Sequence, residues 1–118
     1  MTDELDDYCK IFVNVTSTAA AMNLLSEVTG GSFKGRTLEI PTMVIDVLQN
    51  PDAGLSDDFV TWPVMVEIEK PAEAHWEDYI AGIRKTLVHL WENKAAAVAS
   101  CDFEDKLPWS GGISRVTK

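Results

Sequence analysis

Three carboxylates in two short stretches have spacings that acid–base chemistry uses. Glu67 and Glu69 stand two residues apart in VMVEIEK, and Asp46 sits in MVIDVL. Residues two apart on a strand share a face, so Glu67 and Glu69 lie side by side, and Asp46 joins them if its strand is a neighbour. Such a pair performs proton transfer or glycosidic cleavage only where a cleft drives the two pKa values apart. Both stretches alternate like an open sheet face, which offers no such cleft. The two cysteines, Cys9 and Cys101, form neither a CxxC pair nor a secreted disulfide scaffold. His75 and His89 lack the i, i+4 spacing of a helical metal site. Gly30-Gly31 follows a helix instead of opening one, so it does not read as a phosphate loop. The residues thus predict no catalytic set, no metal and no cofactor: a protein that works by binding, not an enzyme.

The elements that would position these residues follow from periodicity. YCKIFVNV (8–15) alternates, with Cys9, Ile11, Val13 and Val15 on one side and Lys10, Phe12 and Asn14 on the other. TSTAAAMNLLSEVTGG then reads as a helix, capped by Ser17 or Thr18 and stopped by Gly30-Gly31. In TLEIPTMVIDVL (37–48), Pro41 donates no ladder bond and belongs at an edge or bulge. The better strand there is Met43 to Leu48, with Met43, Ile45 and Val47 inward. Residues 49–59 carry the Asn-Pro, Asp and Gly punctuation of a loop. In 61–70, Val64, Val66 and Ile68 point inward. Residues 72–94 give a helix with a stripe of Trp76, Ile80, Ile83, Leu87, Leu90 and Trp91. Ala95 to Cys101 completes the order as a strand of small residues.

The order β-α-β-β-α-β predicts an α+β domain over 1–118, a ferredoxin-like two-layer sandwich with one antiparallel sheet and both helices on one face. Right-handed crossovers place the four strands in the order 4-1-3-2. A rival arrangement folds residues 33–48 into a hairpin across Pro41. In the sandwich, Cys9 lies beside Cys101 at the helical face, where both are expected as small packing residues. The opposite face collects Phe12, Asn14, Val44, Asp46, Leu48, Met65, Glu67, Glu69 and Val98. That apolar patch rimmed by carboxylates is either a partner interface or is covered by loop 49–61 or the tail. The segment 1–7 is expected to be flexible. The tail 103–118 should close the domain, with Phe103, Leu107 and Trp109 folding back and Gly111-Gly112 releasing the chain. Asp105 and Trp109 offer a second anchor site.

Composition narrows the partners. With 19 acidic and 10 basic residues, the net charge is −9. That field repels phosphate backbones and anionic lipid heads, predicting no nucleic-acid and no membrane binding. It favours a basic protein partner, or a second copy of the chain through the apolar patch. No apolar run approaches the roughly 20 residues that span a bilayer, and the acidic N-terminus is unlike a signal peptide, so a cytoplasmic location is expected.

The run YCKIFV (8–13), the stretch LVHLWENKAAAVASCDFEDKLP (87–108) and the following Gly111-Gly112 resemble a group of small uncharacterised bacterial proteins, some of the toxin-neutralising immunity type. The likeness covers the first strand and residues 76–112 and includes no catalytic motif. It implies a bacterial source and an inhibitor role, and it transfers no functional residue. The working expectation is therefore an acidic, non-enzymatic inhibitor of a basic toxin or nuclease, contacting its partner through Phe12, Asp46, Met65, Glu67, Glu69, Asp105 and Trp109. The alternatives are a small-molecule-sensing regulatory module or a small enzyme using paired carboxylates.

Overall fold

The computed structural model describes residues 6–116; most of segment 1–7 and the last two residues of the tail lie outside the described residues. The fold is mixed α+β, with a six-stranded antiparallel sheet and three helices. In chain order the elements are β1 (Cys9–Asn14), α1 (Thr18–Thr29), β2 (Phe33–Lys34), β3 (Thr37–Ile40), β4 (Met43–Gln49), β5 (Val64–Glu69), α2 (Trp76–Glu92), β6 (Ala96–Cys101) and α3 (Ile113–Val116). Single 3-10 turns occur at Phe59–Thr61 and Glu104–Lys106, with a longer kinked one at Pro108–Gly112.

The sheet order is β2-β3-β4-β5-β1-β6. Its four strands β6-β1-β5-β4 follow the sequence-derived order. The expected four-stranded sheet and two helices are nevertheless corrected to six strands and three helices. The additional strands come from residues 33–40, in the arrangement held above as the rival. Pro41 does not break this region. It occupies the tight turn between Ile40 and Met43, which are register partners, and a turn has no use for the missing N–H.

Alternation decides which residues make the core. Cys9, Ile11, Val13, Leu38, Met43, Ile45, Val47, Val64, Val66, Ile68, Ala97 and Ala99 are all buried on the helical side of the sheet. Helix α2 meets them with Tyr79, Ile80, Ile83, Leu87 and Leu90, and α1 with Ala21 and Leu25. The two tryptophans of the predicted stripe sit at its ends and are half-buried. Trp76 joins an edge-to-face cluster with Tyr79 and Phe103, at 5.9 and 5.6 Å between ring centroids. Trp91 donates its indole N–H to the Ala97 carbonyl at 3.0 Å.

Helix α1 begins where its side-chain chemistry dictates. The Ser17 hydroxyl accepts the Ala20 N–H at 3.1 Å, and Gly30, at φ 76°, ends the helix in the left-handed conformation. Ser17→Ala should therefore cost about 1 kcal/mol in a denaturant titration. Thr18→Ala, one residue inside the cap, should cost less than half of that; the reverse ranking would place the cap at Thr18.

The tail closes the domain in part as expected. Phe103 and Leu107 are buried, at 0% and 4% exposure. Trp109 is not, at 56%. Gly111 and Gly112 do not release the chain either: both are buried, and their segment packs against β6. No helix among the described residues is long and apolar enough to cross a membrane.

Candidate functional site

The sheet face away from the helices carries three rows of side chains set by the strand register. The first row is Glu39, Val44 and Glu69, and the second is Thr37, Asp46, Glu67, Lys10 and Ser100. The third is apolar: Leu48, Met65, Phe12 and Val98. Rigid neighbouring strands therefore hold Asp46 directly opposite Glu67, and Phe12 directly opposite Met65.

The apolar row is roofed by the chain itself. Phe59 meets Phe12 edge-on at 5.6 Å and Trp62 at 6.2 Å. Phe12 keeps only 8% of its surface and Val98 only 1%. The roof is built from the loop after β4. Its buried Asn50 donates to the carbonyls of Val60 and Trp62, each at 2.8 Å. The Thr61 hydroxyl lies 2.9 Å from the Ser56 carbonyl and 2.7 Å from that of Asp58. Phe12, expected as an exposed anchor, is thus a floor beneath Phe59, and Met65 beside it is half-buried.

The two carboxylate rows stay open. Glu39 and Glu69 are exposed, while Asp46 and Glu67 are half-buried. Neutral hydroxyls hold the latter two in place: Thr37 donates to Asp46 Oδ1, and Tyr8 donates to Glu67 Oε2 at 2.9 Å. Burial, followed by the Glu67 carboxylate, pushes the Tyr8 phenol above its ordinary pKa, so it remains a donor. Lys10 faces Glu67 across the strands, but its ammonium lies 5.9 Å from the centre of the Phe12 ring. Among the described residues the ion pair that forms is His89–Glu27 at 3.0 Å, between the helices. Among the described residues, Asp46 and Glu67 are thus oriented by hydroxyls without an ion pair. Beside them, Asp6, Tyr8, Lys10, Phe12, Ser100 and Asp102 border a shallow hollow of about 430 Å³.

Asp105 and Trp109 do not join this face. Both are exposed on the tail, which packs along β6 and α2. Trp109 instead stands near Arg115, whose guanidinium lies 5.9 Å from its ring centre and 4.7 Å from that of Trp91. Sequence reasoning missed Tyr8, Thr37 and Glu39. Tyr8 could have been found, because it continues the outward phase of Lys10 and Phe12. Thr37 and Glu39 belong to a strand whose existence depends on reading Pro41 as a turn. The two cysteines, placed together by the expected strand order, are direct register partners.

No family model, no curated protein and no solved structure matches the chain. The fold and face define a mixed α+β protein whose antiparallel sheet carries open carboxylate rows.

Proposed function

We propose that this chain is a non-enzymatic protein-binding domain whose open carboxylate rows receive a basic partner. Most concretely, it acts as an immunity-type inhibitor of a basic toxin or nuclease. The frame in this reading is a ferredoxin-like sandwich, widened by the β2–β3 hairpin. The observation that carries the proposal is the opposed pair Asp46 and Glu67, each fixed by a neutral hydroxyl and neither met by a cation among the described residues. Like charges directly opposite on a sheet oppose folding. Their field is useful to an incoming cationic surface, which it steers and then orients. Strands make better holders than loops for this purpose, since the carboxylates need no ordering on contact.

Charge reversal tests the reading. Glu67→Lys should leave the fold intact and slow association with a basic partner by about tenfold at low ionic strength. The deficit should shrink as salt rises toward 1 M, where the Debye length is about 3 Å. Wild-type and Glu67→Lys proteins are compared as baits in extracts of the native host. A basic protein retained by the wild type and lost by the variant supports the proposal. An acidic partner, or equal retention by both baits, defeats it. Self-association without a basic partner would instead show as a doubled mass in sedimentation with little salt dependence.

A second reading, a small-molecule-sensing module, draws on a cleft of about 290 Å³ between α1, α2 and the β3–β4 turn. Val28, Ile40, Met43 and Ala81 line it, with Asp78 and Lys85 among its polar residues. A metabolite retained by the purified native protein, in the absence of any protein partner, would select this reading.

A further inference from the structure

The first and last major strands, β1 and β6, bring Cys9 and Cys101 into direct register. How close the register holds them follows from one hydrogen bond. The Cys101 N–H donates to Glu104 Oε2 at 3.0 Å and therefore points away from β1. Ala97, in the same phase of β6, likewise turns its carbonyl outward to the Trp91 indole. Cys9 and Cys101 thus form a non-hydrogen-bonded pair, the narrow kind in which opposed Cα atoms lie about 4.5 Å apart. Disulfides span Cα separations of about 4.4–6.8 Å, a range that includes pairs of this kind.

The two thiols also differ in access. Cys9 is fully buried, while Cys101 is half-buried at the end of β6. We propose that Cys101 and Cys9 form a reactive dithiol site for small disulfide compounds, in which Cys101 takes the mixed disulfide and Cys9 resolves it. This inference is independent of the binding role of the carboxylate face.

Protonation agrees with that division of labour. Interaction with the Cys9 thiol lowers the Cys101 pKa; burial opposes this, and the Phe103 backbone N–H supports it. The interaction with Cys101, followed by burial, raises the Cys9 pKa. Cys101, the more accessible of the two, is the one a small disulfide reaches first, and its thiolate is the nucleophile.

The chemistry balances as two exchanges. The Cys101 thiolate attacks one sulfur of R–S–S–R, a Cys101–S–S–R bond forms, and the departing R–S⁻ takes up the proton that Cys101 lost. Cys9 then gives up its proton and attacks Cys101 Sγ. The Cys9–Cys101 disulfide forms, and the second R–S⁻ leaves as a thiol with that proton. Two electrons pass from the protein dithiol to the small disulfide, yielding two molecules of R–SH.

The test uses the reduced full chain and the aromatic disulfide 5,5′-dithiobis(2-nitrobenzoic acid). The wild type should release two thionitrobenzoate ions per chain and end two hydrogens lighter with no adduct, reversibly by dithiothreitol. Cys9→Ser should release one and retain the adduct, while Cys101→Ser should react at least about tenfold more slowly, its remaining thiol being buried. An adduct that persists on the wild type, or equal rates for wild type and Cys101→Ser, overturns the proposal. Should a variant fail to fold, peptide mapping of briefly treated wild-type protein decides the matter: first label on Cys101 supports the proposal, and first label on Cys9 overturns it.

Discussion

Phe12→Ala should cost about 3–5 kcal/mol of folding stability, the range for emptying a buried phenylalanine site. It should leave association through the carboxylate rows unchanged in protein that remains folded. The argument rests on where Phe12 sits. Strand β1 lies between β5 and β6, and Phe12 stands opposite both Met65 and Val98 with Phe59 edge-on above it. Truncation removes the centre of that small outer cluster. The surroundings cannot easily collapse, because the loop above is pinned by Asn50 to the carbonyls of Val60 and Trp62. Phe59→Ala should cost less, about 1–2 kcal/mol, since Phe59 is half-buried and the Asn50 bonds survive its loss. Denaturant titrations rank the two variants, and binding is measured on the folded fraction. If Phe12→Ala costs under about 1 kcal/mol and weakens association, the loop lifts in solution and Phe12 is an interface anchor.

That prediction turns on the part of the structure least legible in the sequence. Alternation showed which side of each major strand is apolar, and Cys9, Ile11 and Val13 or Val64, Val66 and Ile68 are buried accordingly. Local chemistry also marked the ends of α1, because capping by Ser17 and left-handed Gly30 involve only near neighbours. The landing point of the loop after β4 is another matter. Its turn residues announced a loop, but its path depends on a buried asparagine reaching carbonyls across the loop. No periodicity encodes that. Strands β2 and β3 belong only to the rival arrangement, for a different reason. Two and four residues are too short for alternation to register, and Pro41 looks the same in sequence whether it interrupts a strand or turns between two.

The candidate site divides along the same line. The outward phase placed Asp46, Glu67 and Glu69 together, and register confirms Asp46 opposite Glu67. What fixes those carboxylates was hidden, because Thr37 reaches Asp46 only through the β3–β4 hairpin. Trp109 failed as a clamp through backbone conformation. It begins a run of positive φ angles, 57° at Trp109 and 51° at Ser110, continuing through Gly111 and Gly112. Left-handed non-glycine residues are uncommon and carry no sequence signal. In this run the ring turns outward while the glycine pair turns in.

Gly112→Ala should then be the most damaging small substitution in the tail, costing about 3–5 kcal/mol when backbone strain and overpacking are combined. Gly112 has φ 104°, and an added Cβ would fall well inside contact distance of the Ala97 carbonyl oxygen and 3.0 Å from the Trp91 ring. That carbonyl already accepts the Trp91 indole N–H. A methyl group at residue 112 therefore pushes on the outer edge of β6 and on the indole that covers it. Gly54→Ala separates the two contributions. Its φ is 80°, but a Cβ there meets nothing within 4 Å, so it should cost only the conformational part, about 1–2 kcal/mol. The excess at Gly112 measures the close approach of the tail to the sheet edge. A displaced tail also exposes unpaired backbone groups along β6, and an open edge pairs with other chains. Gly112→Ala should accordingly scatter more light with rising concentration below its unfolding midpoint, while Gly54→Ala should not. Equal stability losses and equal scattering would mean that residues 108–112 do not seal this edge in solution.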